Sequence, residues 1–272
     1  MRQAALGVDA AWSSGRDSGF ALVRRVDSRR CRLLAAGPSL SSFASACGLD
    51  GGGRARARLD EGLALASAAA RLGGVLPQVV SADLPLSRAP IRGRRAADDA
   101  ISRGFGGAGC GTHSPSADRP GRVGRDFQAA LEAAGFRLAT AGDAVGAGAL
   151  VEVYPHPALL RLMRTARRVP YKVGRTGSYW PGRPRAERLA LVRAQLWRVA
   201  ERLDTLVAGT LQAFATLVDG RWTLSGLKPA EDVLDAIVSA WVGIVALAGE
   251  AEPFGDEVSA IWVPVAEEPQ AI

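Results

Sequence analysis

The stretch LGVDAAWSSGRDSGFALV, residues 6–23, decides how the fold begins. It reads as an apolar strand that ends on one acid, Asp9, then a Ser/Gly turn, then a second apolar strand. An unpaired charge in a core is costly. Asp9 therefore sits on an exposed edge or meets something cationic. The charges elsewhere in the chain bear on that choice.

Working outward, residues 4–12, 18–26 and 30–36 predict three strands with short links, an antiparallel meander. RLDEGLALASAAARLG predicts a helix closed by Gly73 and Gly74, and FASACGLDGGGRARA before it a loop or frayed helix start. QVVSADLPL predicts a buried strand ending at Asp83, with Pro85 as its stop. RRAADDAISRGF and RDFQAALEAAGF predict helices. ALVEVYPHPALLRLM predicts a strand, a Pro-flanked turn and a helix. RAERLALVRAQLWRVAERL and LKPAEDVLDAIVSAWVGIVALAG predict late helices, and VSAIWVPV a last strand. The order β-β-β-α-β-α-β-α is not the alternating βαβα of a dinucleotide fold, because three strands come first.

The chain has 272 residues, of which 48% are apolar, enough for a real core. It reads as a single domain over 1–272, with a Gly/Arg-rich loop near 104–125 and a helical insertion near 157–220. No N-terminal stretch resembles a signal peptide. The longest apolar run, Ala236–Ala248, is too short to span a bilayer. A soluble cytoplasmic protein with no membrane partner is expected; the oligomeric state stays open. Three widely spaced cysteines imply no disulfide framework, and two histidines argue against zinc.

The net charge of +7 fits a polyanionic partner. Only Lys172 and Lys228 are lysines; the other basic residues are Arg, a bias that GC-rich coding also produces. Distribution says more. Arg161–Arg202 holds 12 basic and 2 acidic residues, whereas Pro229–Ile272 holds 9 acidic and no basic ones. A cationic surface beside an acidic cluster suits phosphate binding near metal ions; two solvated faces are the plainer reading.

Acids interrupt apolar segments at Asp9, Asp83, Glu152, and the pair Asp232 and Asp235, which share a helix face at a spacing of three. Neighbouring strands would bring these carboxylates to one end of the sheet. Clustered carboxylates repel unless they share protons or bind cations. Oxygen-only ligands select hard cations, here Mg²⁺ or Mn²⁺. Two such ions activate water and stabilise a leaving oxygen in phosphodiester cleavage.

GVDAAW, SADLPLS, RRAADDAI, VEVYPHP, PYK and EDVLDAIVSAW, in this order, resemble the family called Domain of Unknown Function 429 over about residues 5–265. The strand order and the late acidic helix also resemble the ribonuclease H-like fold, and DxxDA is similar to the closing helix of its Holliday-junction resolvases. The resemblance implies a ribonuclease H-like α/β fold and a predicted nuclease activity on DNA or RNA. By motif position it implies that Asp9, Asp83, Glu152 and Asp232 or Asp235 bind the metal.

Other residues carry two readings each. His156 is a proton shuttle or a turn histidine bonded to backbone. Arg94 and Arg95 clamp phosphate, or pair with Asp98 and Asp99 on their own helix. Lys172 is a point charge near phosphate or metal-bound water, or a chance lysine. The glycines of GFGGAGCG lack the ending of a phosphate loop and suggest a flexible lid or substrate loop. Trp12 stacks a base or packs at the sheet edge. Three functions compete: a two-metal nuclease, a non-catalytic nucleic-acid-binding module, and an actin-like phosphotransferase or ATPase. The last expects a second copy of the first strand's pattern, which the chain lacks.

Overall fold

The computed structural model describes residues 3–12, 17–49, 62–74 and 76–266. The turn at 13–16 and the helix start expected at 58–61 lie outside them.

Three strands open the chain: β1 (Ala4–Asp9), β2 (Gly19–Arg25) and β3 (Cys31–Gly37). They form the expected antiparallel meander, in the order β3-β2-β1. Helices α1 (Leu40–Ala46) and α2 (Gly62–Gly73) lead to β4 (Val79–Asp83), which runs parallel to β1. Then come α3 (Ala96–Phe105), α4 (Arg122–Ala133), β5 (Arg137–Leu138) and β6 (Ala149–Val153), with β6 parallel to β4. Helices α5 (Pro155–Met163), α6 (Thr176–Tyr179), α7 (Arg185–Asp204), α8 (Thr210–Val218) and α9 (Leu224–Leu247) follow, with β7 (Val207–Ala208) between α7 and α8. Strands β8 (Ala251–Gly255) and β9 (Ala260–Pro264) close the chain. The described residues make one mixed sheet in the order β7-β3-β2-β1-β4-β6-β9-β8, with β5 beside β6. The expected helical insertion is thus tied into the sheet, because β7 pairs with β3.

Helices cover both faces. Alternate residues of the central strands point to opposite sides. Leu6, Val8, Val80, Ala82 and Leu150 pack with Phe43, Leu65, Phe127 and Leu131 on the side of α1, α2 and α4. Ala5, Val79, Val151 and Val153 pack with the apolar side chains of α5, α7, α8 and α9 on the other.

Helix α9 crosses the meander at contact distance, and glycines make that possible. A Cβ on Gly7 would sit 2.0 Å from the Ala236 carbonyl oxygen and 2.5 Å from the Ala240 nitrogen. One on Gly243 would sit 2.0 Å from Ser81 Oγ. Backbone atoms cannot swing away as a side chain would, so Gly7→Ala must push α9 off β1. We expect a loss of about 3 kcal/mol in urea unfolding. Gly93→Ala, where nothing lies within 4 Å, should change stability by less than about 0.5 kcal/mol.

Candidate active site

Asp9 and Asp83 end parallel neighbouring strands and are direct register partners. They share the sheet face of Gly7, two residues before Asp9, and so face α9. Gly19, across from Asp9 on β2, approaches α9 at Asp232: its Cβ would lie 2.2 Å from that carbonyl oxygen. This sets the acidic turn of α9 over the ends of β1 and β2.

The segment between α5 and α7 supplies the partners of that turn. Tyr171 Oη donates to Asp235 Oδ1 at 2.5 Å, and Lys172 Nζ donates to Asp235 Oδ2. Lys172 Nζ also lies 3.5 Å from Glu231 Oε1. The Val173 N–H donates to Glu231 Oε2 at 2.5 Å. Lys228 Nζ donates to Glu231 Oε1 at 2.8 Å and to Asp232 Oδ1. Burial works against the Lys172 charge, but Asp235, Tyr171, Glu231 and Asp9 outweigh it and hold the ammonium protonated. The sequence reading missed Glu231, Tyr171 and Lys228. One signal was there: the two lysines of an Arg-rich chain both end at this site.

Asp9 and Asp83 are different. Neither accepts a hydrogen bond or forms an ion pair within 4.0 Å among the described residues. Burial raises the Asp9 carboxyl well above the ordinary carboxylate range; Lys172 opposes this, while Asp235, Asp232 and Asp83 add to it. Burial likewise pushes Asp83 up to about 7, against Lys172 and with Asp235 and Glu152. These are two carboxyl groups short of positive charge.

Glu152 does not join them. Ala82 is its register partner on β4, so Val153 stands beside Asp83 and Glu152 points to the opposite face. There it accepts from Arg95 Nη1 at 2.6 Å, Arg95 Nη2 at 2.7 Å and the Leu86 N–H at 2.8 Å. The other donors of Arg95 go to the Leu86 carbonyl and both oxygens of Asp98. All five guanidinium N–H groups are used, so this arginine pins α3 to β6 and has none left for phosphate. Arg94 donates to Asp99, Ser102 and the Asp98 carbonyl. Arg94 and Arg95 thus pair with Asp99 and Asp98, and Arg95 adds a long-range pair with Glu152 that the local alternative did not include.

His156 lies in the first turn of α5, at the same end of the parallel strands as Asp83, and is 3% exposed. It accepts from Arg168 Nη2 and meets Tyr154 and Tyr171 edge-on. Burial, then Arg168, Lys172 and Arg175, hold its pKa well below the usual value, so the ring is neutral. The glycine stretch continues α3 as a 3-10 turn, Gly106–Ala108, and docks on the arginine-rich segment. Trp12 packs against the core on the α1 side, under the Arg119 guanidinium.

Among the described residues, no group of three or more His, Cys, Asp or Glu is placed to hold a metal ion. The five acids expected as ligands are therefore not one cluster. Glu152 is across the sheet, Asp232 is held by Lys228, and Asp235 by Lys172 and Tyr171. The donor set that fits a hard cation is the pair Asp9 and Asp83. Mg²⁺ is commonly held by one or two carboxylates, with waters and substrate phosphate completing its shell.

A family model described as "Protein of unknown function (DUF429)" matches residues 7–260. The chain belongs to the DUF429 family. No curated protein and no solved structure matches it. The matched span of this DUF429 chain includes Asp9, Asp83, Lys172 and the whole acidic turn of α9. No helix among its described residues is long and apolar enough to cross a membrane.

Two outcomes follow from these contacts. Glu152→Gln removes one of the two carboxylates that balance the buried Arg95, leaving Asp98 as its only charged partner, and should cost about 2 kcal/mol in chemical denaturation. The raised carboxyls of Asp9 and Asp83 bind protons more tightly folded than unfolded. Both contributions are full below the unfolded value of 3.8; that of Asp83 is lost as pH rises through about 7, and that of Asp9 is lost in the same direction. Stability measured in chelator should fall across that window, and Asp83→Asn should flatten the fall.

Proposed function

We propose that this chain is a divalent-metal-dependent phosphoester hydrolase of ribonuclease H-like fold, acting on nucleic acid. The observation that carries the reading is the Asp9–Asp83 pair: two neighbouring carboxylates at the ends of parallel strands, unpartnered among the described residues, facing a half-buried ammonium. The meander β3-β2-β1, followed by parallel β4 and β6 with a helix across them, supports the fold.

Asp9 and Asp83 would hold Mg²⁺ or Mn²⁺, which polarises a phosphoryl oxygen and lowers the pKa of a bound water. Asp232 and Asp235 are already neutralised by lysines. The site therefore favours one ion over the two expected from sequence. Lys172 stands beside the acid pair as a fixed positive charge, suited to charge that builds on phosphate oxygens. Asp235 and Glu231 hold that ammonium in place, and Tyr171 fixes the Asp235 carboxylate. Exposed arginines of the Arg161–Arg202 segment extend positive charge away from the site, as binding to a phosphate backbone requires.

A second reading has one observation in its favour. The absence of a three-ligand metal group among the described residues also suits a module that binds nucleic acid without cutting it. Thermal unfolding with and without Mn²⁺ separates the two. At 100-fold excess over Kd, Mn²⁺ should raise the melting temperature by roughly 5 °C. Asp9→Asn should remove that rise and lower hydrolysis of DNA or RNA oligonucleotides by about 10³-fold, with the fold intact by circular dichroism. No shift, together with no cleavage, would leave the binding module standing.

A further inference from the structure

Among the described residues, seven buried side-chain nitrogen or oxygen atoms lack a hydrogen-bond partner. Five lie in one segment and can donate: His156 Nδ1, Arg161 Nε, Arg168 Nε, Tyr179 Oη and Arg188 Nε. Such groups are normally satisfied, by water or an ion if not by protein. A concentration of donors without acceptors is the signature of an anion's place.

Three of the five are neighbours. A guanidinium can only donate, so Arg168 makes His156 Nε2 the acceptor. The proton of the neutral ring then sits on Nδ1, the atom with no partner. Tyr179 stands beside Arg168, close enough for its hydroxyl oxygen to accept from that guanidinium, which leaves the O–H proton without an acceptor. Arg175 adds a further charge in reach of His156 and donates to His113 Nε2 at 2.9 Å. These residues join two loops. Arg168 also donates its backbone N–H to the Ala108 carbonyl at 2.8 Å, and Nη1 approaches the Gly109 carbonyl at 3.4 Å. The acid pair is close by. Tyr154 donates to the Gly111 carbonyl at 3.3 Å and feels both Asp83 and Arg168.

We propose that His156, Arg168, Arg175 and Tyr179 form a phosphate-binding subsite between the glycine-rich and arginine-rich loops. It takes a phosphate group of the substrate backbone adjacent to the one that meets Asp9 and Asp83. In that role it deepens the phosphoester-hydrolase reading and rests on it. Guanidinium forks match phosphate oxygens two at a time, and the histidine N–H supplies a neutral donor that needs no counter-charge.

Calorimetric titration of the full-length chain with inorganic phosphate, in chelator, tests this without metal or cleavage. Saturable binding to one site is expected. Arg175→Gln, on an exposed side chain, should weaken it by about tenfold. Arg168→Lys keeps the charge but loses the fork and should also weaken it, with melting temperatures checking both folds. Asp9→Asn should leave phosphate affinity at or above the wild-type value. No binding by the wild type, or wild-type affinity in both arginine variants, overturns the subsite. Phosphate binding without metal-dependent hydrolysis would instead overturn the hydrolase reading and leave the subsite in place.

Discussion

The ammonium of Lys172 is the interaction on which the site depends. Five carboxyl groups, Asp9, Asp83, Glu231, Asp232 and Asp235, gather where β1, β4 and α9 meet. Lys172 and Lys228 bring two positive charges. Both sit on the α9 side, where they pair with Glu231, Asp232 and Asp235. The shortfall lands on Asp9 and Asp83. Burial then makes it expensive for them to ionise together, which is why both carboxyls are raised. A site built this way is short of positive charge at one end and holds its own cation at the other.

The two sheet faces divide the labour. On the α3 side, Glu152 and Asp98 meet one arginine whose donors are all used, so charge is closed and the contacts serve rigidity. On the α9 side, the carboxyl groups outnumber the ammonium groups and two are left open. The same residue types do both jobs, and the difference lies in the count of partners.

Much of this was legible from sequence. Apolar runs bounded by turn residues placed β1, β2, β3, β4 and β6, and the acids at the ends of β1 and β4 stood out because apolar residues precede them. Sheet register was not legible. Glu152 looked equivalent to Asp9 and Asp83, yet a single-residue offset relative to β4 turns it to the other side, and sequence carries no record of that pairing. Helix spacing misled more mildly. Asp232 and Asp235 do share a face, but Glu231 and Asp235, four apart, are the pair that Lys172 spans. Strands β5 and β7 are two residues long, too short for any periodicity. Strand β8, AEPFG, carries a proline and a glycine at the sheet edge, where such residues are tolerated but unannounced.

The meeting of Gly7 with Ala236 and Ala240 bears on how this site can change over time. Most gaps between a strand and a helix are filled by side chains, so their width drifts as cores are repacked. Here main chain rests on main chain, and the separation between Asp9 and the acidic turn of α9 behaves as a fixed gauge. Substitutions in the surrounding loops leave this gauge untouched, whereas any side chain added at Gly7 would reset it.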